Sequence, residues 1–277
     1  MLEDYREYLI HSGKSDNTIK SYLLHIKNYI AWYSQTYGES ATRLYRANIL
    51  DYISFLKNIS KASAKTVNAK LSALMDYNQF LIDNGVQSDI VLTKKDNIKV
   101  QNQYASPSIV SKQEIEQFRQ TILTHQGTRD YAIVTIMAYA GLRISEVLNI
   151  IASNLDFISR ELIVADGKGN KQRVVYLNDK IINAIKEYLK ERNSDSEYLF
   201  VSRESDKINR TRINQIFNKY SDKITPHTLR HFYCSNALES GYSIHEVANQ
   251  AGHSNIHTTL LYSNPSKDKM KEKANLL

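Results

Sequence analysis

The densest run of chemistry-capable residues is Thr225-Pro226-His227-Thr228-Leu229-Arg230-His231. Pro226 sets the entry to a helix, and His227 and Arg230, three apart, share one face near its N-terminus. Free N–H groups and the positive end of the helix dipole make that composite favour an oxyanion such as phosphate. Upstream, Ala140-Gly141-Leu142-Arg143-Ile144-Ser145-Glu146 places an arginine at the break between two apolar helices, where a surface arginine is the plain alternative. In Asp166-Gly167-Lys168-Gly169-Asn170-Lys171 two glycines flank Lys168. They free the turn to swing and let the backbone approach a ligand closely, unless the turn is simply a solubilising hairpin tip. It is not a nucleotide-binding P-loop, because the Gly-x4-Gly-Lys-Ser/Thr order is absent and a strand follows. Gly252-His253 and Tyr262 complete the set, although one tyrosine among 19 carries no signal by itself.

The order of these features says more than any one of them. Arg143, Lys168, His227-x-x-Arg230, Gly252-His253 and, nine residues on, Tyr262 resemble the catalytic pattern of the tyrosine recombinases. This is the phage-integrase-like family that includes the Xer proteins. The resemblance spans nearly the whole chain and implies site-specific cleavage and rejoining of duplex DNA. The expected route is a covalent 3′-phosphotyrosine intermediate and strand exchange through a Holliday junction. In that reading Tyr262 is the nucleophile, and Arg143 and Arg230 present guanidinium forks to the non-bridging phosphate oxygens. His253 adds a further donor, the phosphoryl counterpart of an oxyanion hole. His227 is the expected base for a phenol whose ordinary pKa is ~10, and Lys168 the general acid for the leaving 5′-oxygen. Glu146, one turn from Arg143, is the carboxylate that orients the set. Lys94, Lys95, Lys171 and Arg173 are the expected DNA contacts. His231, His245 and His257 are read as structural or exposed. No metal or nucleotide cofactor is implied, since the phosphotyrosyl linkage conserves the energy of the bond it replaces.

These residues need a scaffold, and its elements are legible in outline. The fold expected is mainly α with a small three-stranded antiparallel sheet in the second domain. By resemblance this is a two-domain DNA clamp, a SAM-like helical core-binding domain followed by a catalytic domain. Residues 1–85 read as helices throughout, one starting at Asn17 or Thr18, one near Ile49–Leu56 and one over Ala64–Ile82 that closes at Asn84-Gly85. Residues 86–111 are polar and aperiodic and read as a linker or a basic strap. Ser111-Lys112-Gln113-Glu114 is a capping-box start for the catalytic domain, 112–262. There a dense apolar helix ends at Gly141 and another starts at Ile144. Three β-like runs follow at Asn154–Phe157, Glu161–Ala165 and Arg173–Leu177, the last two joined by the glycine turn. Helices return over Lys180–Arg192, Arg210–Tyr220, Thr228–Ser240, Ser243–Ala251 and Asn255–Tyr262. Residues 263–277 read as a charged tail, a candidate contact between protomers of a tetramer on DNA.

Composition agrees without deciding. The chain has 277 residues, 42% hydrophobic and 23% charged, ordinary for a globular protein of two domains. No apolar run reaches the ~18–20 residues of a bilayer span, and the N-terminus is not a secretory signal. The single cysteine excludes a disulfide scaffold and fits a reducing cytoplasm, and the resemblance to a DNA-acting family implies association with the nucleoid. The net charge of +7 is modest, and it is shared. Residues 1–103 hold 13 basic against 10 acidic side chains and residues 104–277 hold 23 against 19, so both halves are expected to touch DNA. No arm-type domain is expected before residue 1, and accessory DNA-bending proteins are candidate partners. Two alternatives stay open, a catalytically silent DNA-binding relative and a type IB topoisomerase-like relaxing enzyme.

Overall fold

The computed structural model describes residues 1–100, 110–165, 172–202, 205–253, 255–262, 271, 274 and 275. It divides into two compact units, Met1–Asn102 and Gln103–Leu277. Among the described residues no helix is long and apolar enough to cross a membrane.

The first unit is helical, with α1 (Leu2–His11), α2 (Asp16–Tyr37), α3 (Arg46–Ser54), which runs on as a π turn over Phe55–Ile59, and α4 (Ala64–Asp83). Ser15 and Ser63 cap α2 and α4, each hydroxyl accepting from the N–H three residues on. That satisfies donors a helix start otherwise leaves bare. The core is aromatic: Tyr29, Trp32 and Tyr52 pack ring against ring, with centroids 4.8–5.8 Å apart, beside buried Tyr5, Leu9, Ile26, Leu71 and Leu74.

The segment after α4 departs from the expected free linker. Asn78 on α4, itself buried, donates to the Asp89 carbonyl at 3.0 Å and accepts from Val91 N–H at 2.8 Å. Asn68, ten residues earlier on α4, does the same with both backbone groups of Ile98, at 2.9 and 2.8 Å. Leu92 is buried between these anchors and Arg46 pairs with Asp96 at 2.6 Å. Polar, aperiodic sequence therefore folds onto the first unit because two asparagines imitate strand pairing. Lys94 and Lys95 lie exposed in a short 3₁₀ turn, Lys94–Asp96, capped by Thr93. Residues 101–109 of the expected linker lie outside the described residues.

The second unit opens with α5 (Lys112–Gln126), where Ser111 and Glu114 form the reciprocal capping box. Next, α6 (Thr128–Ala140) is apolar almost all round and accordingly buried, packed by α5, by α8 (Asp179–Glu191) and by α10 (Pro226–Glu239). Between them come α7 (Ile144–Leu148) and the strands β1 (Leu155–Asp156), β2 (Glu161–Ala165) and β3 (Gln172–Tyr176). The sheet is antiparallel in the order β1-β2-β3, with Leu162 opposite Val175 and Val164 opposite Arg173. Leu162, Val164 and Val175 face the core. The remaining helices are α9 (Arg210–Tyr220), α11 (Ile244–Ala251) and α12 (His257–Leu260).

Candidate active site

Four joints of the second unit carry the chemistry-capable side chains: the α6–α7 turn, the start of α10, the α11–α12 turn and the end of α12. The first joint turns on Gly141, whose φ of 65° is the left-handed region that suits glycine. A Cβ there would also fall into the Tyr233 ring. The turn aims Arg143 and presents the Gly141 carbonyl to Arg230, whose Nη1 donates to it at 2.7 Å.

Glu146 is the hub. It is buried, and it accepts from the Arg143 N–H and Nη1, both at 2.8 Å. Arg173 grips the same carboxylate with a two-pronged fork, Nη1 at 3.1 Å and Nη2 at 3.0 Å. Burial raises the pKa of this carboxyl, but the hydrogen bonds from Arg173 and Arg143 outweigh it and hold the group below the ordinary range. Arg143 further donates through Nη2 to the Gly252 carbonyl at 2.8 Å, which ties the α6–α7 turn to the α11–α12 turn. Glu146 thus does more than orient Arg143, since two guanidinium groups depend on it.

Arg173, one of the expected DNA contacts, bonds extensively within the protein. Its Nε and Nη2 also donate to the carbonyls of Gln250 and Ala251, at 3.2 and 3.3 Å, and only 16% of its side chain is exposed. The guanidinium makes these bonds inside the protein, where it joins the sheet to the end of α11. The sequence pattern could not show this, because an arginine on a strand beside a basic turn looks like a DNA contact.

Arg230 is buried, yet its Nη2 has no hydrogen-bond partner among the described residues. Burial, and then the neighbouring Arg143, lower its pKa. A buried guanidinium with a bare donor is costly unless an acceptor arrives. His253 follows Gly252 and pairs through Nδ1 with the buried Thr259 hydroxyl at 2.7 Å. Burial, then the charges of Arg230, Arg143 and Arg173, push its pKa down to about 4. Tyr262 lies 6.2 Å from the His253 ring, nearly parallel to it, and burial lifts its phenol to about 12. Cys234, one turn after Arg230, is buried and its thiol is pushed up to about 11, so it is a poor nucleophile at neutral pH.

The histidines meet the phenol in an order the sequence did not announce. The Tyr262 hydroxyl meets His231 Nε2 at 3.3 Å, and the same nitrogen meets His227 Nε2 at 2.8 Å. His227, the expected base, touches His231 and not the phenol. His231, read as structural or exposed, stands between them, and its ring crosses that of Tyr262 edge-on at 4.7 Å. The signal was present in the spacing: residues 227, 230 and 231 fall at i, i+3 and i+4 of one helix, hence on one face. Lys168 and Lys171 lie outside the described residues.

Residues 108–269 match the phage integrase family, and residues 1–85 match the N-terminal SAM-like domain of phage integrases. A TnP I resolvase from Bacillus thuringiensis is 48% identical over 280 residues, covering 99% of both chains. The tyrosine recombinase XerA of Thermococcus onnurineus is 30% identical, covering 100% of this chain and 96% of its own. The chain belongs to the tyrosine recombinases of the phage integrase family. Its mainly helical fold with one small antiparallel sheet matches theirs. The crystal structure of the XerH site-specific recombinase bound to a palindromic difH substrate, a post-cleavage complex, superimposes with a TM-score of 0.73 at 20% identity, covering 92% of this chain and 78% of that one. In this recombinase the first unit is the SAM-like domain and the second carries the catalytic residues' motif.

Proposed function

We propose that Tyr262 is the nucleophile of this site-specific DNA recombinase and that Arg143, Arg230 and His253 hold the phosphate it attacks. The observation that carries this reading is the buried Arg230 Nη2 with no partner among the described residues, in a site where Arg143 and Arg173 already crowd positive charge. A phosphodiester oxygen supplies the missing acceptor and the missing negative charge together. As the Tyr262 oxygen bonds to phosphorus, charge grows on the non-bridging oxygens, and donors fixed in place stabilise it without reorganising. The P–O5′ bond breaks with its electron pair on the 5′-oxygen, which needs a proton, and Lys168 is our candidate donor. Attack by a 5′-hydroxyl on the phosphotyrosyl bond reverses the step. Because that bond conserves the energy of the one broken, neither a metal nor ATP is required.

The partner is a double-stranded recombination site, and a tetramer on that DNA, inside the cytoplasm, is the working assembly. Lys94 and Lys95 on the exposed 3₁₀ turn and Lys171 in the glycine turn are proposed backbone contacts. The 48% identity to a resolvase supports a resolving role. The test is incubation with a nicked cognate-site suicide substrate, which traps the covalent adduct. Wild type is expected to form it and Tyr262→Phe to form none. Absence of adduct in wild type, or its persistence in Tyr262→Phe, overturns the assignment.

A further inference from the structure

The two histidines on α10 do different jobs at the phenol, and their geometry orders them. His231 Nε2 is the hydrogen-bond partner of the Tyr262 hydroxyl among the described residues, at 3.3 Å. His227 Nε2 lies 2.8 Å beyond, against the same His231 nitrogen, with the two rings at 81°. His231 and Tyr262 are half-buried, whereas His227 is exposed at the first turn of the helix. One nitrogen therefore faces the phenol on one side and a solvent-reaching imidazole on the other. A neutral imidazole has a single in-plane lone pair, so Nε2 cannot serve both neighbours as acceptor at once. It can take a proton from one and pass it to the other.

We propose that His231 is the immediate proton acceptor of Tyr262 and that His227 relays that proton to water. The inference rests on Tyr262 being the nucleophile. In the step, the phenol O–H pair becomes the new Oη–P bond while its proton moves to His231 Nε2. The P–O5′ pair leaves with the 5′-oxygen, which is protonated separately. His231, now an imidazolium, gives the Nε2 proton to His227 Nε2, and the exposed ring releases it. The groups facing His231 fit this direction of travel. On its own helix are His227 and Arg230, and from the other side come Tyr262 and, stacked beyond it, His253. Burial, then His227 and Arg230, depress the His231 pKa to about 4, so it is neutral and ready to accept at neutral pH. A phosphate bound to Arg230 offsets part of that depression and strengthens the base when it is needed.

The measurement is single-turnover cleavage of a suicide substrate carrying a 5′-bridging phosphorothiolate, followed from pH 6.5 to 9.5. Its sulfur leaves without a proton, so the rate reports the nucleophile's deprotonation. His231→Gln, which fills the space without accepting a proton, is expected to cleave about 100-fold more slowly at pH 7. The deficit should narrow by up to tenfold per pH unit as hydroxide ionises the phenol directly. Added imidazole should partly rescue His231→Ala, and His227→Gln should lose less than His231→Gln. A deficit that is constant with pH would mean His231 only shapes the site, and a larger pH-dependent loss in His227→Gln would make His227 the base; either overturns the relay. Adduct formation by Tyr262→Phe would instead overturn the nucleophile assignment on which the relay rests.

Discussion

Replacing Glu146 by glutamine removes the one charge that two guanidinium groups share. The side chain is 6% exposed and accepts four N–H groups, two from Arg143 and two from Arg173. Glutamine keeps a single acceptor oxygen and turns the other position into a donor that faces donors. Each charge-assisted bond at a buried site is worth about 1.5–3 kcal/mol, and removing one partner of a buried ion pair costs about 3–5 kcal/mol. Because Arg143 stays 42% exposed and can re-solvate, the lower part of that range applies, and we expect a loss of about 2–4 kcal/mol. With a urea slope of about 2 kcal/mol per M, the midpoint falls by about 1–2 M. The chain's single tryptophan, Trp32, lies in the first unit and is an internal control. Its fluorescence transition should stay in place while the circular-dichroism transition of the second unit moves. The pH dependence carries a second signature. The folded carboxyl is held below its unfolded value, so its stabilisation is complete above about pH 4.5 and is lost as pH falls through the lowered folded pKa. Wild type should lose that increment on acidification and Glu146→Gln should lack it. A midpoint shift below about 0.5 M, or an equal shift in the Trp32 signal, would refute the hub.

Two further substitutions test the site's supports. Arg173→Lys cannot span Glu146 and the carbonyls of Gln250 and Ala251, and should cost about 1–3 kcal/mol while leaving the salt slope of DNA binding unchanged. A slope lower by about one phosphate contact would restore Arg173 as a DNA ligand. Gly141→Ala forces a left-handed backbone of about 1–2 kcal/mol and drives a methyl into the Tyr233 ring, shifting the carbonyl that holds Arg230. Single-turnover cleavage should drop at least tenfold, and a wild-type rate would show that this carbonyl does not position Arg230.

The helices and strands were legible because their signals are local. The Ser111–Glu114 box, the apolar face of α4 and the alternation in β2 each act within a few residues, and each element begins or ends within a few residues of its expected place. What escaped depends on pairs far apart in the chain. Nothing near residue 98 announces that Asn68 will take up its backbone, 30 positions away. Arg173 carries the same side chain whether it meets phosphate or Glu146, and the choice is made by how β3 packs against α11. His231 is the instructive case, because its helical spacing from His227 was visible. Only the return of the chain at Tyr262, 31 residues later, gives that face something to accept from.

The electrostatics of the site follow from one imbalance. Arg143 and Arg173 share Glu146, while among the described residues Arg230 meets a backbone carbonyl through Nη1 and no partner through Nη2. Burial first, then His227 and Arg230 for His231 and Arg230, Arg143 and Arg173 for His253, lower both pKa values to about 4 and keep both rings neutral. In the proposed mechanism, a phosphate that enters this field offsets the repulsion, completes the Arg230 donor set and makes His231 a better base in one event. In the proposed reaction, binding and activation of the nucleophile are coupled through Arg230.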